Sequence, residues 1–287
     1  MTSLGARLRE YALLMRLHRP IGILLLLWPT LWGLWFAAAG RPSLHVFAVF
    51  VLGVALMRSA GCVINDYADR GFDPHVERTR DRPIAAGRVT PRAALALFAA
   101  LCLIAFALVL TLNGLTIALS FVGAFLAATY PFLKRYTHLP QFYLGAAFGW
   151  SIPMAFAAQT GGVPPLAWVL FAANVCWSVA YDTAYAMVDR DDDKRVGVKS
   201  TAILFGRYDR AMIGIFHAAT LLLLIVAGRM TGRGMLYYFG IAAAGLLALH
   251  QQYRLRDRSR EACLRVFLDN NRLGGVIFLG LVLDYDG

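Results

Sequence analysis

Two stretches of the chain carry residue types that can do chemistry together. The first reads Asn65-Asp66-Tyr67-Ala68-Asp69-Arg70-Gly71-Phe72-Asp73, and the second runs from Asp182 through Tyr185 and Asp189 to Asp193. If the first run is helical, Asn65, Asp69 and Asp73 recur every four residues and share one face. Asp182, Tyr185, Asp189 and Asp193, at i, i+3, i+7 and i+11, share a face in the second. Like charges one helical turn apart repel, and a carboxylate beside hydrocarbon costs roughly 2.5–3.5 kcal/mol, so a compensating cation is expected. Oxygen donors without Cys or His select a hard ion such as Mg²⁺, which takes a few carboxylates and completes its shell with water and phosphate oxygens. Two such faces across a cavity suggest a diphosphate held through bridging Mg²⁺. The plainer alternative is two solvated helix ends paired with nearby arginines.

Cations stand close enough to serve the same anion. Arg78, Arg80 and Arg82 follow the first run, Lys194, Arg195 and Lys199 follow the second, and Lys134 comes one helical turn after Tyr130. Taken singly, each is also explained as loop charge. Arg58 is different, because it lies inside an apolar segment two turns before Asn65, where a guanidinium marks a functional site unless it snorkels or pairs. The chemistry implied is heterolysis of a C–O bond to diphosphate, with metal and Lys/Arg stabilising the leaving group. An apolar cavity would hold a lipid tail and shield the cation formed. Tyr67, Phe72, Tyr130, Phe132, Tyr181 and Tyr185 cluster near the same ends, where ring faces can stabilise that cation or simply pack.

The elements that position these residues are membrane helices. With 59 % hydrophobic and 16 % charged residues in 287, the composition excludes disorder and departs far from soluble usage. Four cysteines without a CxxC pair read as small buried hydrophobes, not a disulfide framework or metal site. Apolar runs occur at about 21–39, 44–64, 93–112, 114–130, 141–159, 165–188, 211–228 and 235–250, with a short ninth at 273–283. With the N-terminus in the cytoplasm, 24 of the 28 Lys and Arg fall in the inward connections. Only Arg41, Arg229 and Arg233 fall outward, Arg58 lying within a span. The net charge of +11 is therefore topological, and nucleic acid is not an expected partner. Residues 3–19 read either as an interfacial helix or as a frayed positive lead. Ala37-Ala38-Ala39 could mark a cleaved signal, but the run before it is long and rich in Trp, so an uncleaved span is expected.

The two runs in full carry a family resemblance. Arg58 with Gly61-Cys62-Val63-Ile64-Asn65-Asp66-Tyr67-Ala68-Asp69-Arg70, then Asp73, Arg78-Thr79, Arg82-Pro83-Ile84 and Gly87, resembles the first aspartate motif of the intramembrane aromatic prenyltransferases. Tyr181-Asp182-Thr183, Tyr185 to Arg190, Asp192-Asp193 and Gly197-Val198-Lys199-Ser200-Thr201-Ala202 resemble the second. The likeness extends from about His18-Arg19-Pro20 to the last apolar run and is strongest to members acting on 4-hydroxybenzoate in ubiquinone biosynthesis. It implies a single all-α domain of nine transmembrane helices around a central cavity; the charge topology and the acidic inward loops, with no transit peptide, lead us to expect a bacterial inner membrane with the site facing the cytoplasm. It implies Mg²⁺-dependent transfer of a polyprenyl group from its diphosphate to the ring carbon ortho to the phenol. Matched position by position, Asn65, Asp69 and Asp73 would serve one Mg²⁺ site and Asp189 and Asp193 the other. Lys134, Tyr130, Arg78 and Arg82 would bind diphosphate, and Arg58 the benzoate carboxylate. Asp182, with Tyr185 beside it, would polarise or deprotonate the phenol. Two other readings stand beside this one: the same chemistry on another aromatic acceptor, and a cation-coupled transporter, which would require acidic residues near mid-membrane and broken helices.

Overall fold

Proline, glycine and short polar caps divide the chain into helices. The computed structural model describes residues 4–71, 73–75, 77 and 79–287, and among them every regular element is helical. These are α1 (Leu4–Leu14), α2 (Ile21–Ala37), α3 (Leu44–Asp69), α4 (Pro91–Val109), α5 (Gly114–Leu133) and α6 (Pro140–Gly149). They continue with α7 (Ser151–Thr160), α8 (Pro165–Val196), α9 (Thr201–Phe205), α10 (Asp209–Met230), α11 (Met235–Arg254) and α12 (Arg260–Asp286). Thr90 accepts from the Ala93 amide at the start of α4 and Asn113 from Thr116 at the start of α5, satisfying donors that a helix cannot pair internally. α8, 32 residues long, ends at Gly197 in the left-handed conformation, φ 74°.

By length and apolarity α3, α4, α5, α12 and the stretch Thr201–Met230 are able to cross a membrane, while α2 is apolar but shorter. The outward faces of α4 and α5 expose Leu103, Phe121 and Phe125, a surface suited to lipid. The buried centre is built by α2, α8, α11 and α12, where Trp32 and Trp177 lie 5.3 Å apart by ring centroid. α11 and α12 approach through glycine: a Cβ on Gly240 would lie 3.0 Å from the Gly280 Cα. Gly240→Leu is therefore expected to force the pair apart and lower stability by about 1–3 kcal/mol, measurable as a fall in Tm in detergent.

Four details depart from the expected pattern. The 141–159 segment is two helices, α6 and α7, hinged at Trp150, because Pro153 lacks the N–H that would continue the ladder. The short 273–283 run is the second half of α12, which starts inside the basic connection; buried Cys263, Val266, Asn270 and Leu273 follow helical spacing through its charges. α3 stops at Asp69, and Asp73 opens a separate 3₁₀ turn, so Asn65, Asp69 and Asp73 do not share a helix; Gly71 and Pro74 disfavour continuation. α1 buries Leu14 with Tyr11 and Met15 against Ala60 and Val63 of α3, so much of its apolar stripe meets protein.

Candidate functional site

Along α3 a stripe from Val49 to Asp69, about 30 Å of helix, lines a cavity of about 1160 Å³. Its far part is walled by apolar groups such as Phe50, Val54, Phe106, Leu112 and Met154. Its near part collects charge. Asn65 and Asp69 from α3, Asp73 from the 3₁₀ turn, and Asp182, Tyr185, Asp189 and Asp193 from α8 all line it. So do Arg58, Arg82, Tyr130 and Lys134; Arg78 and Phe72 lie outside the described residues. The α8 face at i, i+3, i+7 and i+11 thus points into one space. Its neighbours point away: Asp192 meets Arg260 at 3.3 Å, and Arg190 pairs with the fully buried Asp209.

Ion pairs hold the acids of the first run. Lys134 Nζ lies 2.5 Å from Asp69 Oδ2, and Arg82 Nη1 lies 2.9 Å from Asp73 Oδ2 and 3.1 Å from Asp66 Oδ1. Asp66 also takes Arg16 Nη2 at 2.6 Å. Burial raises the Asp73 carboxyl above its ordinary range, Arg82 opposes this, and Asp69 and Asp66 add to it. Asp69 Oδ1 is buried without a hydrogen-bond partner. Among the described residues no three His, Cys, Asp or Glu side chains converge as a closed metal cage. An unpartnered carboxylate oxygen in an all-oxygen setting instead suits a hard cation that draws its remaining ligands from a bound anion.

Arg58 is shaped for an anion. Its Nε is buried and unpartnered, its Nη1 contacts Cys62 Sγ, and among the described residues no ion pair involves it. The guanidinium lies against Gly22 of α2, where any Cβ would overlap it. Asp182 is met by Gln141. The Gln141 Oε1 accepts from the Thr201 amide at 3.0 Å, leaving its amide nitrogen to donate to the carboxylate. An aromatic wall stands beside Asp182: Tyr185 and Phe267 have centroids 4.5 Å apart, and Tyr181 and Phe267 6.0 Å.

Gln141, Arg16 and Asp66 are site residues to which sequence reasoning assigned no role. A glutamine directly after Pro140 at the head of an apolar segment was the visible signal for the first. Arg16 looked like one more positive charge, and only its φ of 56° and its contact with Asp66 distinguish it. The helix break that a transporter would require does exist at Trp150, but no acidic residue lies at it.

An acid-lined and base-lined mouth opening onto an apolar chamber, carried by apolar helices, defines an integral membrane protein equipped to handle an anionic head on a lipid tail. The chain matches the model of the UbiA prenyltransferase family over residues 26–278, and it belongs to that family. It is 64 % identical over 275 residues to a 4-hydroxybenzoate octaprenyltransferase of Alkalilimnicola ehrlichii, covering 96 % of this chain and 94 % of that one. It is 62 % identical to the protein of the same name from Methylococcus capsulatus, over 99 % and 97 % of the two chains. Among solved structures, a UbiA homolog from Aeropyrum pernix superposes with a TM-score of 0.77 at 29 % identity, covering 89 % of this chain and 97 % of that one. A homolog from Archaeoglobus fulgidus, solved with GPP and Mg²⁺, shares the fold at a TM-score of 0.72 and 16 % identity, over 97 % and 100 % of the chains.

Proposed function

We propose that the protein transfers a polyprenyl group, of octaprenyl length as in the relatives' names, from its diphosphate to 4-hydroxybenzoate ortho to the phenol. The product is the 3-polyprenyl-4-hydroxybenzoate precursor of ubiquinone. The observation that carries this is the meeting of both acidic runs at one end of a cavity whose remainder is apolar. The chain acts as one domain of nine spans, α6 and α7 together forming one of them. Its N-terminus and charged mouth face the cytoplasm of a bacterial inner membrane, because Lys and Arg concentrate on the connections at that side.

Asn65, Asp69 and Asp73 on one side and Asp189 and Asp193 on the other would hold Mg²⁺. When bound, the ion neutralises diphosphate charge and favours cleavage of the C–O bond. Lys134 and Arg82 bind the same oxygens directly, with Arg78 as the third cation. As the C–O bond breaks, its electron pair leaves with the diphosphate, and the allylic cation faces the rings of Tyr181, Tyr185 and Phe267. Arg58 holds the benzoate carboxylate and so orients the ring. Asp182, fixed by Gln141, takes the phenol proton as the ortho carbon forms its bond to the prenyl group; the ring proton then passes to the released diphosphate, restoring aromaticity, and Asp182 returns its proton to the phenolate oxygen. Tyr130, which lines the cavity one helical turn before Lys134, would stand beside the diphosphate.

Protein in detergent, given labelled 4-hydroxybenzoate, octaprenyl diphosphate and Mg²⁺, is expected to form prenylated product. Excess chelator should stop the reaction, and added Mg²⁺ should restore it. Product formed in excess chelator would refute the metal assignment, and product only with a different aromatic acceptor would refute the substrate.

A further inference from the structure

One row of α3 runs the length of the cavity. Val49, Gly53, Met57, Gly61, Asn65 and Asp69 each stand four residues from the next, so they share a face, and all of them line the cavity. At the charged end of the row, Asp69 keeps one carboxylate oxygen without a partner. Two positions of the row are glycine, which destabilises a helix relative to alanine and so calls for a reason. Elsewhere in the bundle the reason is close packing. A Cβ on Gly145 would lie 3.0 Å from the Val175 Cα, and one on Gly274 would lie 2.6 Å from atoms of Trp28 and Trp177. At Gly53 and Gly61 a Cβ would meet nothing within 4 Å. These two glycines widen the cavity and bring no helices together.

The deep part of the cavity makes no polar demand. Thr30 and Ser151 line it, but their hydroxyls lie 2.7 Å apart and Thr30 also donates to the Leu26 carbonyl. Ser120 donates to the Ile117 carbonyl at 2.7 Å. The α5 wall, pinned to α3 at the mouth by the Lys134–Asp69 pair, adds only the small residues Gly123, Ala124 and Ala127 beyond Ser120. Depth follows from helix geometry. Gly53 precedes Asp69 by 16 residues, which is about 24 Å along the axis. An extended chain advances about 3.5 Å over three bonds, so an isoprene unit, with four bonds in its main chain, advances about 5 Å. A tail that starts at the diphosphate therefore reaches Gly53 at about its fourth or fifth unit.

We infer that Gly53 is the residue that lets long prenyl donors into the site. Its bare backbone keeps the cavity open at the depth where the middle of an octaprenyl tail must pass, and a side chain there would stop the tail. A geranyl tail, about 10 Å long, ends before that depth and does not sense the position. Gly61 plays a different part. It lies about 6 Å from Asn65 along the axis and close to Arg58, so bulk there would obstruct every donor alike. Discrimination by length belongs to Gly53. The inference rests on the transfer reaction proposed above and adds the position that sets which donors are accepted.

The test compares geranyl and octaprenyl diphosphate on the full-length protein in detergent with Mg²⁺. Prenyl transfer to 4-hydroxybenzoate is measured, and so is binding of each labelled diphosphate without acceptor. Gly53→Ala, Gly53→Leu and Gly53→Phe form a series of rising bulk, and Leu52→Phe, at a position 53 % exposed on the outer face, is the control. With octaprenyl diphosphate, kcat/KM is expected to fall about tenfold or more in Gly53→Leu and further in Gly53→Phe, the scale on which an apolar pocket rejects added bulk. With geranyl diphosphate it should stay within about twofold of wild type, which also shows that the variants fold. Binding should divide the two donors in the same way, and Leu52→Phe should match wild type with both. Unchanged octaprenyl use across the series, equal losses for the two donors, or the same division in Leu52→Phe would each overturn the inference. Wild-type protein that binds both diphosphates but prenylates no aromatic would refute the transfer reaction, and the binding series would then decide the role of Gly53. Binding of neither would overturn both.

Discussion

Replacing Asp69 or Asp189 with alanine is expected to abolish prenyl transfer at every Mg²⁺ concentration. The two aspartates stand on different helices, α3 and α8, and both line the charged end of the cavity. Asp69 has one oxygen on Lys134 and the other buried without a partner. On the proposed assignment its removal would take a ligand from the metal, and it also frees the Lys134 ammonium from its neutralising partner. Charge stabilisation by a bound metal is worth several kcal/mol, so the turnover number should fall by about 10³-fold or more. Steady-state assays over a wide Mg²⁺ range provide the check. Activity restored by high Mg²⁺ would mean weakened affinity instead of a lost ligand, and wild-type activity in either variant would remove that residue from the metal site.

Arg58→Ala should separate the two substrates. Its Nε is buried without a partner, and the guanidinium makes no ion pair among the described residues and lies against Gly22. On the proposed reading it would meet the benzoate carboxylate, and a hydrogen bond to a charged group is worth about 1.5–3 kcal/mol. The KM for 4-hydroxybenzoate is therefore expected to rise about 10- to 100-fold, with the KM for the prenyl diphosphate little changed. Arg58→Lys should recover only part of the loss, since an ammonium lacks the planar fork. Equal increases for donor and acceptor would place Arg58 at the diphosphate instead.

Charge and hydropathy along the chain anticipated the all-helical fold and the helix face of Asp182, Tyr185, Asp189 and Asp193, because both depend on local periodicity. They did not anticipate α12 as one helix of 27 residues, since its buried positions alternate with arginines and the apolar run begins only at Leu273. Asp73 left the expected helix face because of Pro74, a local signal overridden in the reading by the four-residue period. Gln141 was beyond reach for another reason: its role depends on Thr201 fixing its amide orientation, and that pairing is visible only after α6 and the start of α9 meet. Arg58 was legible because a guanidinium within an apolar run is costly. Its fit depends on the missing side chain of Gly22, on a helix the sequence gives no reason to place beside it.

The acids from α3 and α8 have a consequence for how the protein is made. Each run alone offers a few carboxylates at a helix end, and more than a hundred residues are translated between them. A nascent chain that has inserted α3 but not α8 has no second face to oppose the first, and it also lacks the aromatic wall of Tyr181, Tyr185 and Phe267. On the proposed mechanism diphosphate ionisation would need both faces, so a chain stopped between α3 and α8 would hold no donor poised to release its cation to water.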